Sequence, residues 1–236
     1  QKSLPNAMRL LLEHKYTRAK PQVLFGAVGD TRGDSFPIQI GQFEADVRME
    51  GHLTNIVLEG RGGGGPGSQG SHESYELPLY FLGTRTEIDC WKKRGHKGFC
   101  FIFGDEYPYD VVRQQDLTKY LGISAESDVP VEVAIKAVQD KYHLFYVLPG
   151  GTDHANDPGV VQHWGQLLGD VWVTVGEGRN AEKVSPFVLK LSNPSLASEA
   201  TCLAIGLTEG TVPSLEEGLS HLQATAAEKV SIHNAL

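Results

Sequence analysis

The sequence predicts an α/β fold: a largely parallel central sheet with helices on both faces, in three layers. Three observations predict it. Short apolar runs recur at 23–28, 99–103, 143–148 and 171–175. Segments with apolar residues at three-to-four spacing lie between them. The run Phe99-Cys100-Phe101-Ile102-Phe103 has no alternation, as a strand buried on both faces would have none, and it stops abruptly at Gly104-Asp105-Glu106. Ligands of open α/β sheets bind beyond the carboxyl ends of the strands. Asp105 and Glu106 are therefore the first candidates for a site, and a divalent cation is the first candidate ligand.

The bulk numbers limit the alternatives. The chain has 236 residues, a formal net charge of -8 and 40% apolar residues, enough for one large domain or one domain with an extension. We divide it into an α/β domain at 1–186 and a helical extension at 187–236, packed on the domain or continuous with it. No apolar run is long enough to span a membrane as a helix. Gln1 to His14 lacks the three regions of a signal peptide. Cys90, Cys100 and Cys202 form no disulfide framework, and the last two lie in apolar runs as core thiols do. That usage predicts a reducing, cytoplasmic setting. The acidic balance argues against nucleic acid as a partner.

In chain order, Leu4, Met8, Leu11 and Leu12 share one face of a helix, with Pro5 in its first turn. Val23 to Val28 reads as a buried strand closed by Gly29-Asp30. Ile38 to Phe43 reads as a second strand, antiparallel to the first and at the sheet edge, because no crossover helix fits between them. Leu53, Ile56 and Val57 suggest a short helix. Glu59 to Gly70 is a glycine-rich loop, suited to close approach of a ligand or simply solvated. Tyr75 to Trp91 reads as one helix, capped by Ser71 or Ser74, with Pro78 tolerated in its first turn. The basic run from Lys92 to Lys97 suits its C-terminal end.

After the Phe99–Phe103 strand, helices are expected at Asp110–Tyr120, ended by Gly122, and at Pro130–Lys141, with Val131, Ala134, Ile135 and Val138 on one side. A strand at 143–148, an amphipathic helix at Val160–Leu168 and a final strand at Val171–Val175 follow. Helices at Glu199–Leu207 and Ser214–Ala226 close the chain, the second with capping-box spacing at Ser214 and Glu217.

Hard cations take carboxylate, hydroxyl and water oxygens. Asp105 and Glu106 follow a strand, Glu73 and Ser74 stand at a helix start after the glycine loop, and Asp30 follows the first strand. In an α/β sheet these three loops can converge. A helix cap or a solvated turn acid is the simpler role for Asp105. The chain has no Gly-x-Ser-x-Gly elbow, no P-loop Gly-Lys-Ser/Thr, no dinucleotide fingerprint and no zinc pattern.

The segments Val23–Asp30, Pro37–Phe43, the glycine loop running into Glu73-Ser74-Tyr75-Glu76-Leu77, and Asp89–Gly95 leading to Phe103-Gly104-Asp105-Glu106 resemble the von Willebrand factor A-type domain. Within that family the chain looks like an intracellular bacterial or phage branch, and the resemblance covers roughly residues 1–175. It implies a three-layer sheet of the Rossmann kind and a metal-ion-dependent adhesion site. It assigns Asp105 to the ion, with Ser74 as second ligand and Glu73 competing for that place. The family's Asp-x-Ser-x-Ser loop does not occur in the sequence. Gln1 to His14 looks like the helix that follows that loop, so we expect the missing segment to precede it or to come from another chain.

Three functions follow as expectations. The first is a binding or scaffold module in which Mg²⁺, or Mn²⁺ or Ca²⁺, is completed by an acidic residue of a protein partner. The second is metal-assisted hydrolysis of a phosphate ester. The third is a structural domain with no functional ion.

Overall fold

The computed structural model describes residues 3–46, 48–59, 70–175 and 181–236. The glycine loop therefore lies almost wholly outside the described residues. In chain order the elements are α1 (Ser3–Leu12), β1 (Gly26–Val28), β2 (Ile38–Ile40), α2 (Arg48–Thr54), β3 (His72–Glu73), α3 (Glu76–Arg85), α4 (Asp89–Arg94), β4 (Gly98–Phe103), β5 (Tyr107–Pro108), β6 (Val111–Val112), α5 (Gln114–Leu121), β7 (Val129–Pro130) and α6 (Val131–Lys141). Then come β8 (Tyr142–Pro149), α7 (Pro158–Leu168), β9 (Val173–Val175), β10 (Glu182–Val184), β11 (Val188–Leu191), α8 (Ala197–Glu209), α9 (Leu215–Ser220) and α10 (Ala226–Ala235). The chain is a mixed α/β protein with a sheet flanked by helices. Among the described residues no helix is long and apolar enough to cross a membrane.

Two compact units divide the chain. The first comprises residues 1–21, 101–105 and 145–236, and the second 22–100 and 106–144.

A three-stranded sheet has the order β11-β8-β4, and the first unit holds β11 with β8 from Phe145 and β4 from Phe101. β11 runs parallel to β8, with Val188 opposite Tyr146 and Leu191 opposite Pro149. The ring pairs Phe99–His143 and Phe101–Phe145 advance together, so β4 and β8 also run the same way. β8 is the strand buried on both faces, from Leu144 to Leu148. The run that looked most buried, Phe99 to Phe103, is instead at an edge of the sheet. Its residues are half-buried and Phe103 is 47% exposed. An unbroken apolar run reports aromatic and β-branched content, and cannot report position in the sheet. α7 packs on this sheet through Trp164, which is fully buried and stacks on Tyr146 at 4.1 Å between centroids.

Two expected strands stand elsewhere. β1 and β2 pair antiparallel, as read, but as a two-stranded sheet of their own, and the expected buried first strand is exposed at Gly26 and Val28. The expected final strand, β9, pairs antiparallel with β10, and its valines face solvent, Val173 at 45% and Val175 at 56% exposed. The third strand of the main sheet is β11. Its Val188-Leu189-Lys190-Leu191 stretch was hidden by its shortness.

In the second unit α3 and α6 pack face to face. The burial of Val131, Ala134, Ile135 and Val138 follows the helical spacing of the sequence. Gly83 permits the close approach: a Cβ there would lie 2.7 Å from Ala137 Cβ and 2.9 Å from the Ala137 carbonyl carbon. Gly83→Ala gains up to about 1 kcal/mol of helix propensity. Overpacking against backbone costs about 1–3 kcal/mol. We expect net destabilisation, read as a lower urea midpoint at unchanged m-value.

The expected single helix over 75–91 is two helices. Thr86 is extended (φ -100°, ψ 140°). Its hydroxyl donates to the Leu82 carbonyl at 2.5 Å and meets the Tyr142 hydroxyl at 2.6 Å, while its carbonyl accepts from Lys141 Nζ at 2.9 Å. These contacts satisfy the free helix end, so the break is fixed by residues far away in sequence. The expected helix over 110–120 begins later, at Gln114, after β6, and ends as expected at Gly122 in the left-handed conformation. Near the C-terminus the full capping box is made by Thr225 and Glu228 on α10, an element that the sequence reading missed. At the expected box only Ser214 accepts, from the Glu217 amide at 3.2 Å.

Candidate functional site

The second unit gathers most of the candidate residues around the turn after β1. The amides of Gly33 and Asp34 donate to the Asp30 carbonyl at 3.0 and 2.8 Å. The Asp34 carboxylate accepts the Asp30 amide at 2.7 Å, and Asp30 Oδ1 accepts the Arg32 amide at 2.9 Å. Two aspartates four apart thus close the turn on itself, as short acidic side chains do.

Ser74 was expected as a cap or as an ion ligand. It is fully buried, and Tyr75 with helical backbone begins α3 without a side-chain cap. The Ser74 hydroxyl accepts the Thr31 amide at 2.9 Å, lies 3.0 Å from Thr31 Oγ1 and faces Asp30 Oδ1 at 3.4 Å. Thr31 in turn donates to Asp116 Oδ2 at 3.2 Å and accepts from Arg113 at 3.1 Å. Arg113 grips both Asp116 oxygens, at 2.7 and 3.1 Å. Tyr109 donates its hydroxyl to Asp30 Oδ2 at 3.2 Å, and the Arg32 guanidinium stands 3.3 Å over its ring. Asp30 and Ser74 are therefore brought together, but their oxygens are engaged within the protein. They hold the turn against the start of α3.

Two acids share a sheet face in the same unit. β3 pairs parallel with β5, His72 opposite Tyr107 and Glu73 opposite Pro108, which sets Glu106 opposite Ser71 and on the face that Glu73 shares. The charge of Glu106 reaches the Glu73 carboxyl, which is pushed up to about 8. Burial is the largest cause, followed by the charges of Glu106, Asp34 and Asp30. Glu73 Oε2 is buried and has no hydrogen-bond partner among the described residues. Glu76, 2% exposed, is likewise pushed up to about 8 by burial, against the pull of its own amide and that of Tyr109.

Asp105 belongs to the first unit. Its Oδ2 accepts the His154 amide at 2.9 Å, which ties the loop after β8 to the end of β4. Among the described residues no three His, Cys, Asp or Glu side chains are grouped so as to hold a metal ion. The thiols of Cys100 and Cys202 are pushed up to about 12 by burial and are poor nucleophiles.

Thr31, Glu76, Tyr109, Arg113 and Asp116 were not foreseen. Arg113 and Asp116 carried one legible signal, opposite charges at i,i+3 spacing where α5 begins. Thr31 and Tyr109 carried none, because their partners lie 43 and 79 residues away. No family model, no curated protein and no solved structure matches this chain.

Proposed function

We propose that the chain is a cation-dependent protein-binding module of the kind its resemblance to the von Willebrand factor A-type domain implies, with Mg²⁺ held at Glu73 and Glu106. The finer architecture of that family, a protein partner presenting a carboxylate and a cytoplasmic setting belong to the same proposal. The observation that carries it is the Glu73 carboxyl on the sheet face it shares with Glu106, its Oε2 buried and without a hydrogen-bond partner among the described residues. Two acids held together by the fold repel when both are ionised, and a divalent cation relieves that repulsion. Two carboxylates fall short of a calcium cage. They suit Mg²⁺, which commonly keeps several waters and takes only one or two protein carboxylates. The water positions leave room for a partner's carboxylate. Asp30 and Ser74 then act as positioning residues, because they fix the turn whose charges reach Glu73.

Titration of Mg²⁺ or Mn²⁺ into the chelator-dialysed chain should give a single saturable heat. Glu73→Gln and Glu106→Gln should each weaken it by about tenfold or more, roughly 1.4 kcal/mol. Asp105→Asn separately tests the residue that the resemblance assigns to the ion. No heat with the intact chain, or an affinity in both glutamine variants unchanged from that of the intact chain, sinks the reading. Mg²⁺-dependent turnover of a phosphate ester that is lost in Glu73→Gln would move it to metal-assisted hydrolysis.

A further inference from the structure

The first unit contains a second group of titratable side chains, far in sequence from the acids. Leu10 and Leu11 are buried where α1 packs on α8, and Cys202 of α8 donates to the Ala7 carbonyl at 3.7 Å. Beyond α1 the chain turns back through His14. Arg9 Nη1 lies 2.9 Å from His14 Nε2. A guanidinium can only donate, so His14 accepts through Nε2 and is neutral. The His14 ring stacks on His221 at 4.6 Å with 20° between planes. His221 Nδ1 lies 2.9 Å from the hydroxyl of fully buried Tyr16, and the Tyr16 carbonyl accepts from Thr211 Oγ1 at 2.8 Å.

We infer that His14 and His221 form an acid-sensitive clasp, which holds α1 and the segment through Tyr16 against α8 and α9 and opens when His14 takes up a proton. Protonation fills the lone pair to which Arg9 donates. It also sets a positive ring against the Arg9 guanidinium and the His221 ring. The facing groups are Arg9 and Glu13 from α1 and its end, Tyr16 from the segment after it, Cys202 from α8, and Glu217 and His221 from α9 and its end. Tyr16 and Cys202 are both pushed up to about 12, so they stay neutral. Glu13 favours the charged imidazole. Burial, the largest cause, then His221 and Arg9 outweigh it and lower His14 below 6.5.

The sign follows. A docked pKa below the free value means that docking is complete above the free value and is lost as pH falls through it toward the docked value. With a free value near 6.5, the opening constant at pH 5.5 can rise up to about tenfold over that at pH 7.5. The opened segment would bare Leu10, Leu11 and Tyr16 together with Gly206 of α8, which the Tyr16 ring faces.

Hydrogen exchange of the full chain, corrected for the intrinsic pH dependence of exchange, tests this. Amides of residues 7–14 should open several-fold more at pH 5.5 than at 7.5, while β8 amides should not. His14→Gln keeps an acceptor for Arg9 without titrating, and His14→Phe keeps the stacked ring; both should abolish the pH difference. Arg9→Gln should reduce it. Equal corrected exchange at the two pH values overturns the clasp. So does an unchanged pH difference in both His14 variants, or acceleration of β8 in parallel with α1.

Discussion

Raising the pH from 5 to 9 in the presence of a chelator should progressively destabilise this protein, and Glu76→Gln should remove much of that loss. Glu76 is pushed from an ordinary 4.5 to about 8 because its carboxyl is almost completely buried. The folded state therefore holds a proton that the unfolded state releases. Stability from this group is fully present below about 4.5 and is lost as pH rises to about 8. Each unit of that window is worth ~1.4 kcal/mol. The whole window bounds the effect at about 5 kcal/mol, comparable to the entire stability of many domains. Glu73 moves in the same direction, more weakly where solvent screens it.

Glutamine at 76 keeps an oxygen for the Tyr109 amide, 3.3 Å from Glu76 Oε2, and has no proton to lose. Urea midpoints measured at each pH decide the matter. A wild-type midpoint that is flat or rising between pH 5 and 8 contradicts the buried neutral acid. A Glu76→Gln variant with the full wild-type slope would assign the loss to other groups. This global response strengthens the fold in acid, whereas the His14 clasp loosens in acid. The two are thus separable by where exchange changes.

Trp164→Ala should cost about 3–5 kcal/mol, the range for truncating a buried tryptophan. The ring is fully buried and stacked on Tyr146, itself fully buried on the middle strand of the sheet. Truncation removes the ring's dispersion contacts and leaves a cavity that β8 and α7 cannot both close. Trp164→Phe retains an aromatic face for Tyr146 and should cost clearly less, about 1–2 kcal/mol. Equilibrium urea unfolding of both variants makes the comparison. A Trp164→Ala loss below about 1 kcal/mol would mean that α7 is not anchored there.

The helices that declared themselves in sequence were those whose periodic apolar face is also the buried face. α6 shows this best. Val131, Ala134, Ile135 and Val138 are read from spacing and are the residues buried against α3. α5 stops at Gly122 because only glycine adopts the left-handed conformation without cost. Pro158 at the start of α7, after the capping Asp157, is the same kind of local rule. The interruption at Thr86 was not legible, since it rests on Tyr142 and Lys141.

The candidate site divides along the same line. The residue types were in the sequence: Asp30, Glu73, Ser74, Asp105 and Glu106 were all singled out by their places after strands and before a helix. Their roles were not. Ser74 and Asp30 face each other and Thr31, Asp105 serves the His154 amide, and Glu73 shares a sheet face with Glu106. By itself the sequence determined that 131–141 and 158–168 are helical and 143–148 extended, that Gly122 ends a helix, and which acids stand beside strand and helix ends. These follow from backbone sterics and from side-chain spacing within a few residues. Only the tertiary structure decided that β8 rather than β4 is the buried strand, that β1 pairs with β2 apart from the main sheet, and which acids share a face. Strand order and carboxylate contacts are set by residues tens of positions apart, whose pairing no local rule encodes.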